Sequence, residues 1–300
     1  MNAHNYAAFI MTYKRPTILA DTINRLLEQS IPPNEILIID NDPDQSAFPV
    51  SKQFQNNAIA YIAVGYNSGP AGAAKLGLEN LTKKGYSWIA WIDDDNPPIF
   101  ENIFENLIQL ASTNEKVGSV GVVGQRYNRR TGLMIRVPDK ELEGRGHLSV
   151  DNIAGGMCKL VNADVVRKNQ ILPDSSLFYG FEELDFDLRI KNEGYSLLAD
   201  KEMYKKHRAY YNRLGLQIKR GEKKEKHALW REYYSIRNSL IILKKNKLYI
   251  ALFITLIRIS IKSIVAFRFG FSYGKKVLKN ATIACIHFCI GKRGAYAVND

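Results

Sequence analysis

Trp88-Ile89-Ala90-Trp91-Ile92-Asp93-Asp94-Asp95 is the stretch on which the fold turns. Five apolar residues in a row read as a buried strand, and the strand runs directly into three carboxylates. Working upstream, residues 67–72 form a glycine-rich turn and residues 73–81 continue as a helix. Three further apolar runs, 7–11, 36–39 and 58–64, read as strands. Between the first two, Pro16 suits the first turn of a helix, and Ile18, Leu19, Ile23, Leu26 and Leu27 recur at helical spacing. Downstream, residues 99–110 are helical again, 117–160 mix short strands with glycine-rich turns, and 162–169 and 182–193 read as helices. Apolar strands alternating with helices predict an α/β fold with a mostly parallel sheet flanked by helices. Ligands bind such sheets beyond the carboxyl ends of the strands, and each polar cluster in the first 100 residues sits there.

Three consecutive carboxylates repel one another and call for a compensating charge, commonly a divalent cation. In extended backbone Asp93 and Asp95 share a side while Asp94 points across. Hard oxygen donors suit Mn2+ or Mg2+. The run alone reads equally as an acidic cap on the helix that Asn96-Pro97-Pro98 introduces. Tyr66-Asn67-Ser68-Gly69-Pro70-Ala71-Gly72 permits close backbone approach and puts a helix N-terminus near an anion. A tight strand–helix turn needs glycine too. Asp40-Asn41-Asp42 reads as a contact to a base or ribose, or as a turn before Pro43. Glu182, Glu183, Asp185 and Asp187 open a helix, where the macrodipole favours acids; a buried one serves equally well as a general base.

Composition narrows the classes. A chain of 300 residues, 46% of them hydrophobic, allows one large domain with a smaller appendage. Cys158, Cys285 and Cys289 are odd in number and contain no CxxC, which argues against a disulfide framework or structural zinc and fits a reducing compartment. The first 13 residues lack a basic segment followed by an apolar one, so the expectation is a cytoplasmic protein. The net charge of +12 is uneven: residues 201–300 hold 23 Lys/Arg against 5 Asp/Glu, whereas residues 1–200 hold 19 against 25. The basic third implies an anionic partner.

Taken in order, Thr-Tyr-Lys-Arg-Pro, Ile-Asp-Asn-Asp, Asn-x-Gly-x-x-Gly, Asp-Asp-Asp, Glu-Glu-x-Asp-x-x-x-Arg and Tyr-Tyr-x-x-Arg-Asn resemble the family-two inverting glycosyltransferases of the GT-A fold. Within them the set is most similar to bacterial galactofuranosyl- and rhamnosyltransferase-like enzymes, over roughly residues 6–245. The resemblance implies a GT-A, Rossmann-like sheet in a nucleotide-sugar transferase domain at 1–227, and a basic helical region at 228–300. It implies that Thr12, Tyr13 and Arg15 line the nucleotide pocket and that Asp40, with Asp42 beside it, contacts the base. Asn67, Gly69, Gly72 and Lys75 would lie along the nucleotide and diphosphate. Asp93 and Asp95 would hold the metal with His207, which follows the basic stretch Tyr204-Lys205-Lys206. Asp93 or Asp94 would reach ribose or sugar hydroxyls. The catalytic base falls on Glu183, with Asp185 in reserve; the family's usual aspartate is a glutamate here. The expected reaction moves a hexose, galactofuranose from a UDP donor first, onto a hydroxyl of a lipid-linked or growing cell-surface polysaccharide. A rhamnosyltransferase using a dTDP donor is the near alternative, and an inactive scaffold a distant one.

Residues 248–267 are apolar but contain Arg258 and Lys262, four apart on one helical face. Two central cations disfavour a membrane span and favour an amphipathic helix lying on an anionic bilayer. Lys275, Lys276, Lys279, Lys292 and Arg293 extend the basic surface, and Tyr233, Tyr234, Arg237 and Asn238 mark the junction with the catalytic part. The expected location is the inner face of the cell membrane. A nucleic-acid-binding module is the alternative of another class, and no stacking motif or zinc finger supports it.

Overall fold

The structure, a computed structural model, describes residues 5–54, 56–216 and 223–296. The chain builds β1 (Tyr6–Thr12), α1 (Pro16–Leu27), β2 (Ile36–Asp40), α2 (Phe48–Gln53), β3 (Ile59–Ala63), α3 (Gly69–Lys83), β4 (Trp88–Asp93) and α4 (Ile103–Ser112). It continues with β5 (Val117–Gly121), β6 (Gly124–Asn128), β7 (Leu133–Arg136), β8 (His147–Ser149), β9 (Asn152–Ile153), β10 (Lys159–Asn162) and α5 (Ala163–Asn169). Then come α6 (Glu182–Asn192), β11 (Ser196–Asp200), α7 (Lys201–Tyr210), α8 (Trp230–Lys245), α9 (Tyr249–Val265) and α10 (Phe271–Cys289). The main sheet has eight strands in the order β3-β2-β1-β4-β10-β5-β11-β8, and β7-β6-β9 form a smaller antiparallel sheet. β1, β2, β3 and β4 pair in parallel; β10 runs antiparallel between β4 and β5.

Strand alternation divides the core in two. Ala8, Ile10, Ile36, Ile38, Ala90 and Ile92 pack against α1 and α4, whereas Phe9, Leu37, Ile39, Ile89 and Trp91 pack against α3 and α6. From β1 the chain moves outward to β2 and β3 and returns past β1 to β4. The order of strands therefore reverses between β1 and β4, the crevice where open α/β sheets bind ligands.

The structure adds three helices that sequence spacing does not reveal, α2, α7 and α10, and starts α4 at Ile103 rather than at 99. α8 lines the same cavity as the strand ends, through Trp230, Arg231 and Tyr234, so the expected boundary at 227 runs through one site. On α9, Arg258 donates to the Thr131 carbonyl at 2.8 Å and Lys262 to Glu232 at 2.8 Å. Arg258 is half-buried, whereas Lys262 stays exposed along its stem and reaches Glu232 with its tip. The exposed face is the apolar one: Ile250 and Ile264 are each 71% exposed and Phe253 64%. The two cations thus find partners on the protein. Within Tyr249–Phe269 an 18-residue window reaches a mean hydropathy of 2.1, and the stretch is long enough to cross a membrane.

Candidate active site

Alternation along β4 sends Asp94 to the α1 face and Asp93 to the opposite one. Asp94 is fully buried. Its carboxylate accepts from Thr12 Oγ1 at 2.7 Å and Arg15 Nε at 3.1 Å, and Thr22 Oγ1 donates to its carbonyl at 2.6 Å. Arg15 pairs with both Asp94 and Asp95. Burial raises the Asp94 pKa to about 6, against the Thr12 hydrogen bond and the Arg15 charge. Asp94 therefore anchors the loop after β1 to the end of β4. It is not placed to meet ribose or sugar hydroxyls, which corrects its expected role.

Asp93 faces the cavity. Burial, then Glu183, Asp95 and Asp94, raise its pKa to about 8, and Arg15 offsets only part of that. A Cβ at Gly156 would overlap the Asp93 carboxylate, and one at Gly155 would meet Glu183 Oε1 at 2.7 Å. Gly155 N–H also donates to Glu183 Oε1 at 2.8 Å. The two glycines form a shelf on which the carboxyl groups of β4 and α6 converge. Sequence reasoning missed this shelf; its only signal was two adjacent glycines in the segment of short strands.

Glu182 and Glu183 open α6. Burial raises both, with Glu183 adding to the rise at Glu182, which reaches about 8. At Glu183 the Lys159 charge and the Gly155 N–H act in the opposite direction. Lys159 is itself fully buried, paired with Asp187 at 2.6 Å and lying over the rings of Trp91 and Phe186 at 5.3 and 5.1 Å. Burial and the neighbouring carboxylate both favour the protonated form of Glu182. Asp185, the reserve base, is committed elsewhere: it accepts from Arg189 Nε at 2.9 Å and Lys245 Nζ at 2.8 Å, tying α6 to α8.

A cavity of about 910 Å³ opens at these strand ends. Of the predicted residues, Thr12, Tyr13, Arg15, Asn67, Gly69, Asp93 and Asp95 line it. Asp40 does not. Its carboxylate accepts from Asp42 N–H at 2.8 Å, Ala47 N–H at 3.0 Å and Tyr61 Oη at 2.9 Å, which closes the loop after β2. Alternation turns Asn41 toward α3 instead, and Asn41 reaches the cavity. Asp42 lies buried, 3.9 Å from Lys14. Lys75, half-buried on α3, and Gly72 lie off the cavity lining. The first N–H groups of α3 are already used: Gly69 donates to Asn67 Oδ1 at 3.0 Å and Ala71 to the Phe178 carbonyl at 3.2 Å. Gly69, at φ +69°, is glycine because a Cβ would overlap that carbonyl. The expected diphosphate cradle at this turn is a docking point for the 178 loop.

His207 lies on α7, not in a loop. It is buried against Tyr211, with ring centroids 4.8 Å apart. Burial, with Arg213 and Arg208, lowers its pKa to about 4, so the imidazole is neutral. It sits behind the Asn96-Pro97 turn. Among the described residues no three His, Cys, Asp or Glu side chains converge on one ion position. The expected trio of Asp93, Asp95 and His207 is not assembled, because Arg15 holds the Asp95 carboxylate and His207 stays behind the turn. Asp93 and Asp95 by themselves fit a hard divalent cation: they are oxygen donors on one cavity, crowded by like charge.

The opposite wall comes from Phe178, Tyr179, Trp230, Tyr234 and Tyr296, with His227 at the rim. Asn238 Nδ2 donates to the carbonyls of Leu177, Tyr179 and Gly180 at 2.9, 3.0 and 2.8 Å. Arg237, fully buried, donates to the carbonyls of Leu177 and Gly294 at 2.9 and 2.8 Å. Tyr234 Oη bonds both the N–H and the carbonyl of Tyr296, at 2.8 and 3.0 Å. The Tyr-Tyr-x-x-Arg-Asn motif is thus the brace of this wall.

Residues 7–167, more than half of the chain, match the family model for glycosyl transferase family 2. The chain belongs to that family. It is 25% identical over 198 residues to galactofuranosyltransferase GlfT1 of Mycolicibacterium smegmatis, covering 62% of this chain and 65% of that protein. It is 24% identical over 200 residues to GlfT1 of Mycobacterium tuberculosis, covering 62% and 64%. The match therefore spans just under two thirds of each curated relative. Among solved structures, the mannosyltransferase PcManGT of Pyrobaculum calidifontis, in complex with GDP-Man and Mn2+, superposes with a TM-score of 0.57 at 12% identity, over 96% of this chain and 79% of that one. TarS 1-349 of S. aureus, in complex with UDP, gives 0.52 at 12% identity, over 99% and 94%. At such identity these structures show a shared glycosyltransferase fold. The family match stops before Glu183 and the brace, so both rest on the geometry above.

Proposed function

We propose that the protein is an inverting glycosyltransferase that binds a UDP-sugar with Mn2+ or Mg2+ and transfers a hexose, galactofuranose first, to an acceptor hydroxyl. The observation that carries this reading is the convergence of Asp93 and Glu183 on the Gly155–Gly156 shelf, beside the cavity that Asp93 lines at the β1/β4 crevice. Tyr13, Asn41 and Asn67 border the nucleotide end of the cavity. Arg15, already bridging Asp94 and Asp95, fixes the carboxylate facing that end. Bound at Asp93 and Asp95, a divalent cation supplies charge neutralisation for a diphosphate leaving group. Glu183 accepts the proton of the acceptor hydroxyl as its oxygen attacks the anomeric carbon. The new C–O bond forms as the bond to the diphosphate breaks, and one displacement inverts the centre. No covalent nucleophile is required.

The galactofuranose assignment draws on the names of the curated relatives and is tested by turnover of a donor panel with the purified protein and Mn2+. UDP-galactofuranose is expected to be consumed; consumption of dTDP-rhamnose alone overturns the choice of sugar. The acceptor is a lipid-linked or growing polysaccharide at the inner face of the membrane. The apolar outer face of α9 and the basic C-terminal third support that placement. Sedimentation with anionic vesicles checks it: binding is expected there and not to DNA or RNA, and the reverse result refutes it.

A further inference from the structure

We propose that Phe178, Tyr179, Trp230 and Tyr296 form the subsite for the sugar ring of the acceptor. The inference rests on the transferase reading and names the part of the cavity that reading leaves unassigned. Tyr179 and Trp230 lie with ring centroids 4.7 Å apart, tilted 55°, and both pack on Tyr234, at 6.1 and 5.8 Å. Phe178 lies 5.2 Å from the same ring. Tyr234 is buried and makes the floor; the four rings above it are half-buried and line the cavity. An aromatic face is the apolar surface that the C–H face of a sugar ring fits, while the sugar's hydroxyls stay free for polar groups.

The loop that presents two of these rings is held in a costly shape. Phe178 has φ 63° and ψ −63°, Gly180 φ 78° and Phe181 φ 67°. Positive φ at two phenylalanines persists only where the surroundings enforce it, and such strain clusters at binding sites. Here the enforcement is explicit: Asn238 and Arg237 take the loop's carbonyls, and Gly69 leaves room for the carbonyl of Phe178. A wall meant only to fill space needs neither the strain nor a buried arginine.

Location assigns the occupant. Tyr179 lines the cavity together with Asp93 and Asp95. A ring seated on Tyr179 and Trp230 therefore shares the cavity with Asp93, the carboxylate that meets Glu183 at the glycine shelf. Tyr13, Asn41 and Asn67, at the proposed nucleotide end, come from the loops after β1, β2 and β3, and the 178 loop meets them at the Gly69 turn.

The test is saturation-transfer difference NMR on the full chain with UDP and Mn2+ present. Methyl β-D-galactofuranoside and methyl α-L-rhamnoside serve as probes. Ring C–H protons of at least one probe are expected to receive saturation. Trp230→Ala is expected to lower the signal about fivefold and Trp230→Phe to retain most of it, as expected for loss of one aromatic face. Thermal melts confirm that each variant is folded, and Tyr179→Leu repeats the test should Trp230→Ala fail to fold. UDP titration of the same samples separates the two ideas. Failure of the wild type to bind UDP strikes the transferase reading. A wild type that binds UDP but passes no saturation to either probe overturns the acceptor subsite. So does a Trp230→Ala variant that loses UDP affinity while keeping its saccharide signal, since the wall then serves the nucleotide base.

Discussion

The strand-end wall and the aromatic wall face each other across one cavity, but different bonds hold them. The first is built by periodicity. β1 and β4 pair in register, and alternation alone sends Asp94 inward to Thr12 and Arg15 and Asp93 outward to the cavity. The second is built by reach. Arg237 and Asn238 bond to the Leu177 carbonyl across 60 and 61 residues, and nothing local in either segment announces the other. The first wall carries charge that wants a cation; the second carries strain that wants a brace. Chemistry and shape are thus assigned to separate parts of the chain.

The largest expected effect tests where the two walls meet. Glu183→Gln keeps the side chain's size and its hydrogen bond from Gly155 but removes the base. Transfer is expected to fall by about 10² to 10⁴-fold, the usual range for a general base, while UDP binding stays within a few-fold. Turnover at the wild-type rate would move the base to another residue.

Breaking the brace comes next. Asn238→Leu fills similar volume but removes the donor to the Tyr179 and Gly180 carbonyls, leaving the Leu177 carbonyl to Arg237 alone. The expected cost is about 2–3 kcal/mol in urea unfolding. A loss under about half a kcal/mol would mean that the loop holds its shape unaided, and the contrast between the walls would weaken.

The strand-end wall makes a pH-dependent prediction. Asp93 binds its proton more tightly in the folded state, with a pKa of about 8 against an ordinary value of 3.8. Its contribution to stability is therefore fully present below the unfolded value and is lost as pH rises through the folded one. A divalent cation that binds the ionised group opposes that loss. The increase in Tm on adding Mn2+ is thus expected to be larger at pH 8 than at pH 5.5, by about a few degrees. An increase independent of pH would place the cation away from Asp93.

Much of the first wall is legible in the sequence. Residues 36–39 and 88–92 read as strands and fall within one residue of β2 and β4, because four or five apolar residues ending in acids leave little choice of element. The side assignments of Asp93 and Asp94 follow from the pleat. Asp40 does not line the cavity as its position suggests. The acid is visible, but its three donors come from a loop and a neighbouring strand whose folding back no local pattern announces. The Gly69 turn misleads for the same reason, since glycine signals close approach without naming what approaches. His207 reads as part of a loop because Lys205 and Lys206 obscure the amphipathic spacing of α7, where Met203, Tyr204 and His207 are buried.

The smallest expected effect separates the two acids of α6 that a motif cannot tell apart. Asp185 and Glu183 are two positions apart on one helix, yet they point to different places. Asp185 bonds Arg189 and Lys245, and Glu183 bonds the glycine shelf. Arg189 and Lys245 are partly open to solvent, so the ion pairs are screened. Asp185→Asn retains an oxygen for one of the cations. It is expected to cost about 1 kcal/mol of stability and to leave transfer within about threefold of wild type. A collapse of transfer with stability unchanged would return the base to Asp185 and detach the catalytic acid from the shelf. Unchanged transfer, set beside the loss in Glu183→Gln, ties the chemistry to the one carboxyl of the pair that meets Asp93.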